Sequence, residues 1–155
     1  PNAHLTATIW HWDVYYQAAI ETAMTCGGAE NFVTEMGGNA YYAGLSEGFV
    51  DASTLNELVA APGTAAAMEA VRELIDSGEW DVFSGVKLNI TVDAEAGTAA
   101  VEQVDAPLMS DGYELKDGEV VEMANPEIVP AGGASVTDDV IKSGMNYNVA
   151  GVVEG

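Results

Sequence analysis

Residues 4 to 10, HLTATIW, alternate Leu5, Ala7 and Ile9 with Thr6, Thr8 and Trp10. Strict alternation with β-branched enrichment predicts a strand. Tyr16, Ile20 and Met24 then recur at four-residue spacing, which predicts a helix over 14–25, with Asp13 as its N-cap and Gly27-Gly28 as its stop. Residues 31–36, NFVTEM, read as a short strand, and 37–51, GGNAYYAGLSEGFVD, as a glycine-punctuated segment containing one further strand. A short helix is expected over 53–60, capped by Ser53 or Thr54 and broken at Pro62-Gly63. The clearest helix follows, AAAMEAVRELIDSG, capped by Thr64 and stopped at Gly78. Its buried stripe is Met68, Val71 and Ile75, helped by Ala67 and Leu74.

The pattern changes in the second half. Residues 81–93, DVFSGVKLNITVD, read as a strand, and TAAVEQVD and GYELKDGEVVEM as shorter alternating runs. KDGE, between Tyr113-Glu114-Leu115 and Val120-Val121, is a hairpin turn signal. Ser135 or Thr137 is expected to cap a short helix through Ile141, stopped by Gly144, and MNYNVAGVVEG is extended. The order is βαβ first and mostly β later, an α/β chain with a β-rich addition.

Length and composition narrow the functional classes. A chain of 155 residues, 48% apolar, is one domain with a core and is not disordered. Its 25 Asp and Glu against 4 Lys and Arg give a net charge of −21. The cations Arg72, Lys87, Lys116 and Lys142 form no basic cluster, so nucleic acid and anionic membrane surfaces are excluded as partners. Cys26 is the single cysteine and reads as a small buried residue rather than a nucleophile. No signal peptide and no run of membrane-spanning length is visible. The chain opens on a strand-like run without an initiating Met, as expected of a processed, trimmed or truncated product.

Enzyme signatures are missing: there is no GxxxxGK[ST], no GxGxxG and no GxSxG. His4 and His11, seven apart, point to opposite faces of a regular strand and do not form a metal pair. DAEAG at 93–97 lacks the calcium-loop pattern. The residues therefore point to no catalysis, no metal and no cofactor. The aromatic signal is stronger. Trp10 and Trp12, two of three tryptophans, flank His11 and precede Asp13, and share a face if the strand continues that far. An indole offers a flat polarizable ring and one N–H donor, suited to stacking on a heteroaromatic ligand. A strand end leading into a helix is also where open α/β folds hold ligands. Core packing behind the helix is the competing role. Of Tyr41 and Tyr42, adjacent and so opposite in facing, at most one serves the same pocket.

Four segments in order, LTATIWHWDVYY, GGNAYYAGLSEGFVD, SGEWDVFSG and VPAGGASVTDDVIKSGMNYNVAGVVEG, resemble the carboxy-terminal part of the basic membrane protein family, the substrate-binding lipoproteins of ABC importers related to bacterial purine nucleoside receptors. The resemblance covers residues 4–88 and 128–155, with 89–127 as a β-rich insertion. It implies part of a type I periplasmic-binding-protein-like fold, in which 1–88 and 128–155 belong to the α/β ligand-binding unit. It implies transport rather than catalysis, a purine nucleoside or nucleobase as ligand, an ABC permease as partner, and an extracytoplasmic, lipid-anchored location for the full-length protein. Where the nucleoside-receptor branch carries a sugar-contacting lysine, Trp10 stands here. The resemblance therefore implies a ligand site at Trp10, His11, Trp12, Asp13 and Tyr41, with Trp10 stacking on the base. The resemblance implies that the chain is shorter than family members and lacks their amino-terminal lobe, so weak or no binding, and self-association into a homodimer or strand exchange, are expected of it alone. The alternative is a secreted or surface interaction domain that meets a protein through 89–127.

Overall fold

The computed structural model describes residues 4–151. It is a mixed helix-and-sheet chain, 26% helical and 28% strand, which fits the α/β expectation at that level. Among the described residues every strand pairing is antiparallel.

Strand β1, Thr8–Trp10, leads directly into helix α1, Trp12–Thr25. It pairs with β2, Val50–Ala52, in the register Thr8↔Ala52, Ile9↔Asp51 and Trp10↔Val50. Residues 5–7 continue beside the same segment through hydrogen bonds from Ser53 N to Ala7 O and from Asn56 N to Leu5 O. These bonds explain why 53–60 is not the expected helix. Ser53 extends the pairing, its hydroxyl accepting from Ala7 N, and Asn56 donates its side-chain amide to His4 O. The Ser53 hydroxyl is committed to backbone outside the segment and is lost as a helix cap, while the Asn56 carboxamide bridges His4 O and Leu58 N.

Two further expectations fail for local reasons. Residues 31–36 are not a strand: Phe32–Glu35 form a single helical turn, α2, in which Glu35 N bonds Asn31 O and Met36 N bonds Phe32 O. A strand needs a neighbour, whereas a helical turn satisfies its own backbone. Asp13 is not the N-cap of α1. The helix begins two residues earlier, His11 occupies the cap without a side-chain bond, and Asp13 sits in the first turn, where a carboxylate complements the helix dipole. Tyr16, Ile20 and Met24 do share one face of α1, but that face is exposed, Met24 at 80%.

Helix α3, Thr64–Asp76, forms as its Ala-rich sequence predicts, with Gly63, not Thr64, at the N-cap. Gly63 is left-handed at φ 83°, and a Cβ there would meet Val92 Cγ1 at 2.2 Å. Met68 and Val71 are half-buried rather than buried, and Ile75 is exposed at the margin. Strand β3 starts at Val86, not at 81. Residues 81–84 instead fold into a turn held by Asp81, whose side chain accepts from Phe83 N and whose carbonyl accepts from Ser84 Oγ.

β3, Val86–Asp93, and β4, Thr98–Asp105, make a long hairpin in which Leu88↔Gln103 and Ile90↔Val101 are opposite. Val86, Leu88, Ile90 and Val92 share one face, and Lys87, Asn89, Thr91 and Asp93 the other. Helix α3 packs against this hairpin. β5, Leu108–Lys116, is the hub of the remaining sheet, pairing with β6, Glu119–Glu122, β7, Glu127–Val129, and β8, Tyr147–Val149. The expected KDGE hairpin is present, with Asp117 at φ 54° and Gly118 at φ 85°, the double positive φ of a tight two-residue turn. The expected helix ending at Gly144 is a π-helical turn, Val140–Gly144. Of the tail, 152–155 lies outside the described residues.

Only Phe49, Leu108 and Val129 form the fully buried apolar core among the described residues. The chain exposes 10,661 Å², against about 7,400 Å² for a compact monomer of this mass. Hydrogen-bonded joints therefore carry much of the architecture. The densest is buried Gly85, which donates to Gly133 O at 3.0 Å and accepts from Ala106 N at 2.9 Å and Gly132 N at 2.7 Å. It ties the start of β3 to the approach to β5 and the exit from β7. A Cβ on Gly85 would lie 1.9 Å from Pro130 O and 2.7 Å from Gly133 N, both backbone atoms that do not move cheaply. Gly85→Ala is expected to lower unfolding free energy by about 3 kcal/mol, measured by urea titration with circular dichroism. Unchanged stability would mean that this crossing is not a fixed joint.

Candidate functional site

The aromatic cluster is built from four places in the chain. Strand β1 ends on Trp10, and the turn into α1 places Trp12 one residue past His11. The two indoles do not lie on one strand, as the sequence suggested. The strand stops between them, yet the turn brings the rings together at 5.5 Å and 25°. Phe49, 4% exposed, lies beneath both, edge-on to Trp10 at 5.6 Å and to Trp12 at 5.7 Å. Tyr41 closes the row, 5.2 Å from Phe49 and 5.2 Å from Tyr15. Edge-to-face packing of this kind contributes about 0.5–1.5 kcal/mol per pair beyond burial.

The indoles are nevertheless not core residues. Trp10 is 56% exposed and Trp12 51%. With Thr8 and Ile9 they line a shallow, open hollow. The cluster thus has a buried base, Phe49, and an open aromatic surface, Trp10 and Trp12.

Among the expected site residues, Trp10, Trp12 and Tyr41 are brought together through Phe49. His11 contributes through its backbone, donating N–H to Phe49 O at 2.8 Å, which holds the β1–α1 turn over the ring. Asp13 is exposed and enters none of the ring contacts. Tyr42 diverges from Tyr41 and lies under Lys142 Nζ at 4.3 Å. His4 is exposed and distant in sequence from any ligand-like partner, and among the described residues no group of three His, Cys, Asp or Glu is placed to hold a metal. Cys26 is half-buried, its thiol donating to Gly28 O at 3.2 Å.

Two features escaped sequence reasoning. One is Phe49, whose signal was only that it ends the aromatic, glycine-punctuated segment. The other is an apolar groove of about 650 Å³ between α3 and the β3–β4 hairpin, lined by Leu45, Met68, Val71, Ile75, Ile90 and Val92 among others. The helical wall was legible as the stripe Met68, Val71 and Ile75, whereas 81–93 read only as a strand, and the gap between them was not legible. Arg72 pairs with Asp51 beside it at 2.8 Å, tying α3 to β2.

Phe49 is carried by the loop 44–48. Gly44 N donates to Glu47 Oε2 at 2.7 Å, and Phe49 N and Val50 N both donate to Gly44 O. The Gly44 N–H holds the Glu47 carboxyl below the ordinary carboxylate range, with a further contribution from Ser46. A depressed folded pKa means that the loop's stabilisation is complete above the unfolded value and is lost as pH falls through the folded one. Glu47→Gln is therefore expected to be less stable than the parent at neutral pH, and the difference should vanish in acid, below the ordinary carboxylate range. Urea midpoints of both proteins between neutral pH and strong acid check this; a constant difference would exclude the Glu47 carboxylate as its source.

No helix among the described residues is long and apolar enough to cross a membrane. Comparison of the chain with protein-family models, with curated proteins and with solved structures finds no match in any of the three.

Proposed function

We propose that this chain is a small-molecule-binding unit whose site is the exposed face of Trp10 and Trp12, and that it belongs to the extracytoplasmic substrate-binding component of an ABC importer for a purine nucleoside or nucleobase. One observation carries the reading: two stacked indoles stay half-exposed on a buried phenylalanine at a strand-to-helix junction. Large aromatics left in solvent on a rigid base are suited to stacking, worth about 1–3 kcal/mol per base. The resemblance of the four sequence segments supplies the ligand class, the type I periplasmic-binding-protein-like fold, the permease partner and the lipid-anchored location. It also supplies transport rather than catalysis.

The hollow is open, so it forms one wall of a ligand site. Binding by this chain is correspondingly weak, in the range of about 1 mM or above. A second reading, an interaction domain acting through 89–127, is favoured by one observation: Tyr113, Leu115 and Val120 are exposed apolar residues on the β5–β6 hairpin.

Nuclear magnetic resonance separates the two readings, because the three indole N–H signals are resolvable. Adenosine, guanosine or inosine at millimolar concentration is expected to shift the Trp10 and Trp12 signals. Trp80, whose Nε1 donates to Val86 O at 2.8 Å, should stay unmoved. Trp10→Ala should abolish the response. No shift with any purine, or an equal shift in Trp10→Ala, would end the stacking assignment.

A further inference from the structure

We propose that the Trp10–Trp12 site prefers a flat ligand bearing a fixed positive charge, such as an N-alkylated heteroaromatic ring, over its neutral counterpart. The inference rests on the stacking reading and narrows its ligand class.

The first argument is the composition of the site. Its hollow is lined by Thr8, Ile9, Trp10 and Trp12 and contains no cationic side chain. Two of the four cations are committed elsewhere: Arg72 to Asp51 and Lys142 to Asp138. Lys87 lies on β3 and Lys116 at the end of β5, neither of them part of the cluster. The charged residue nearest in sequence is Asp13, exposed in the first turn of α1 beside Trp12.

The second argument is the aromatic surface. The indole face is the strongest cation–π partner among the side chains. Here two indoles are stacked and electron-rich faces remain accessible, each ring being about half-exposed. The same chemistry already occurs once among the described residues, with Lys142 Nζ 4.3 Å from the Tyr42 ring centroid. The Trp10–Trp12 face has no such internal cation among the described residues.

The third argument is the field. A net charge of −21 surrounds the hollow with negative potential. A cation approaching it is attracted at range; a neutral purine is not. An anionic nucleotide is repelled. The three arguments agree in sign, and none depends on the ligand's hydrogen-bonding edge.

Adenosine and 1-methyladenosine make the test, since they share rings and sugar and differ by one methyl group and one positive charge at neutral pH. Both are titrated into the 155-residue chain, following the indole N–H signals, at about 20 mM and about 500 mM salt. At low salt 1-methyladenosine is expected to bind about fivefold or more tightly. That advantage should shrink at high salt, persist in Trp10→Phe and disappear in Trp10→Leu. Equal affinities for the two nucleosides at low salt overturn the charge preference and leave stacking intact. A preference that survives Trp10→Leu also overturns it, by placing the cation elsewhere. Binding by neither nucleoside overturns both readings together.

Discussion

Phe49 is the contact on which the amino-terminal half depends. It is one of three fully buried apolar residues among those described, and it touches both indoles and Tyr41. Its backbone is fixed from two sides, its carbonyl accepting from His11 N and its own N–H donating to Gly44 O. The β1–α1 turn, the β1–β2 pairing and the 44–48 loop therefore meet at one residue. Without a buried ring there, the indoles would have no base, and an exposed tryptophan pair would adopt many rotamers rather than one stacked arrangement. Order in Trp10 and Trp12 is thus inherited from Phe49.

The second half solves a different problem. The face of the β3–β4 hairpin that meets α3 sets Gln103 and Asp105 opposite Leu88 and Val86, a groove opens between it and the helix, and Ile90 and Val92 stay partly exposed. Burial alone gives little here. Cohesion comes instead from backbone pairing, eight residue pairs along β3–β4, three strands on β5, and the three-way crossing at Gly85. A structure held by ladders and joints more than by a core has a large surface for its mass, as observed. It also has local weak points where one backbone contact joins several elements.

How much of this was legible depended on whether a segment's structure was decided locally. Helix α3 was readable because Ala-rich propensity and a 3.6-residue stripe agree. The Asp117-Gly118 turn was readable because its positive φ angles demand those residues. Segments 31–36 and 53–60 were not. Their short apolar patterns fit strand or helix equally well, and the outcome was set by distant partners, the missing neighbour for one and the His4–Ala7 backbone for the other. The site was legible in part. The concentration of Trp10, His11 and Trp12 marked the place, and the four-residue spacing of Tyr16, Ile20 and Met24 marked a helix. Their stacking across a strand-to-helix turn was not readable, because it depends on Phe49, which is nearly forty residues away in sequence.

The acidity of the chain shapes the fold in a way that net charge does not reveal. With so few cations, most carboxylates cannot form ion pairs, and several serve as acceptors for turn backbone instead. Asp81 accepts from Phe83 N, Asp93 from Glu95 N and Ala96 N, Asp111 from Tyr113 N, and Glu47 from Gly44 N. A carboxylate that bonds a backbone N–H two or three residues away stabilises a turn at little entropic cost. Such turns need no cationic partner. Among them, only the Glu47 turn leads straight into Phe49. The aromatic site is therefore linked to the Glu47 carboxyl, which the Gly44 N–H holds below its ordinary range. That link runs through the position of a buried ring rather than through any charge in the hollow itself.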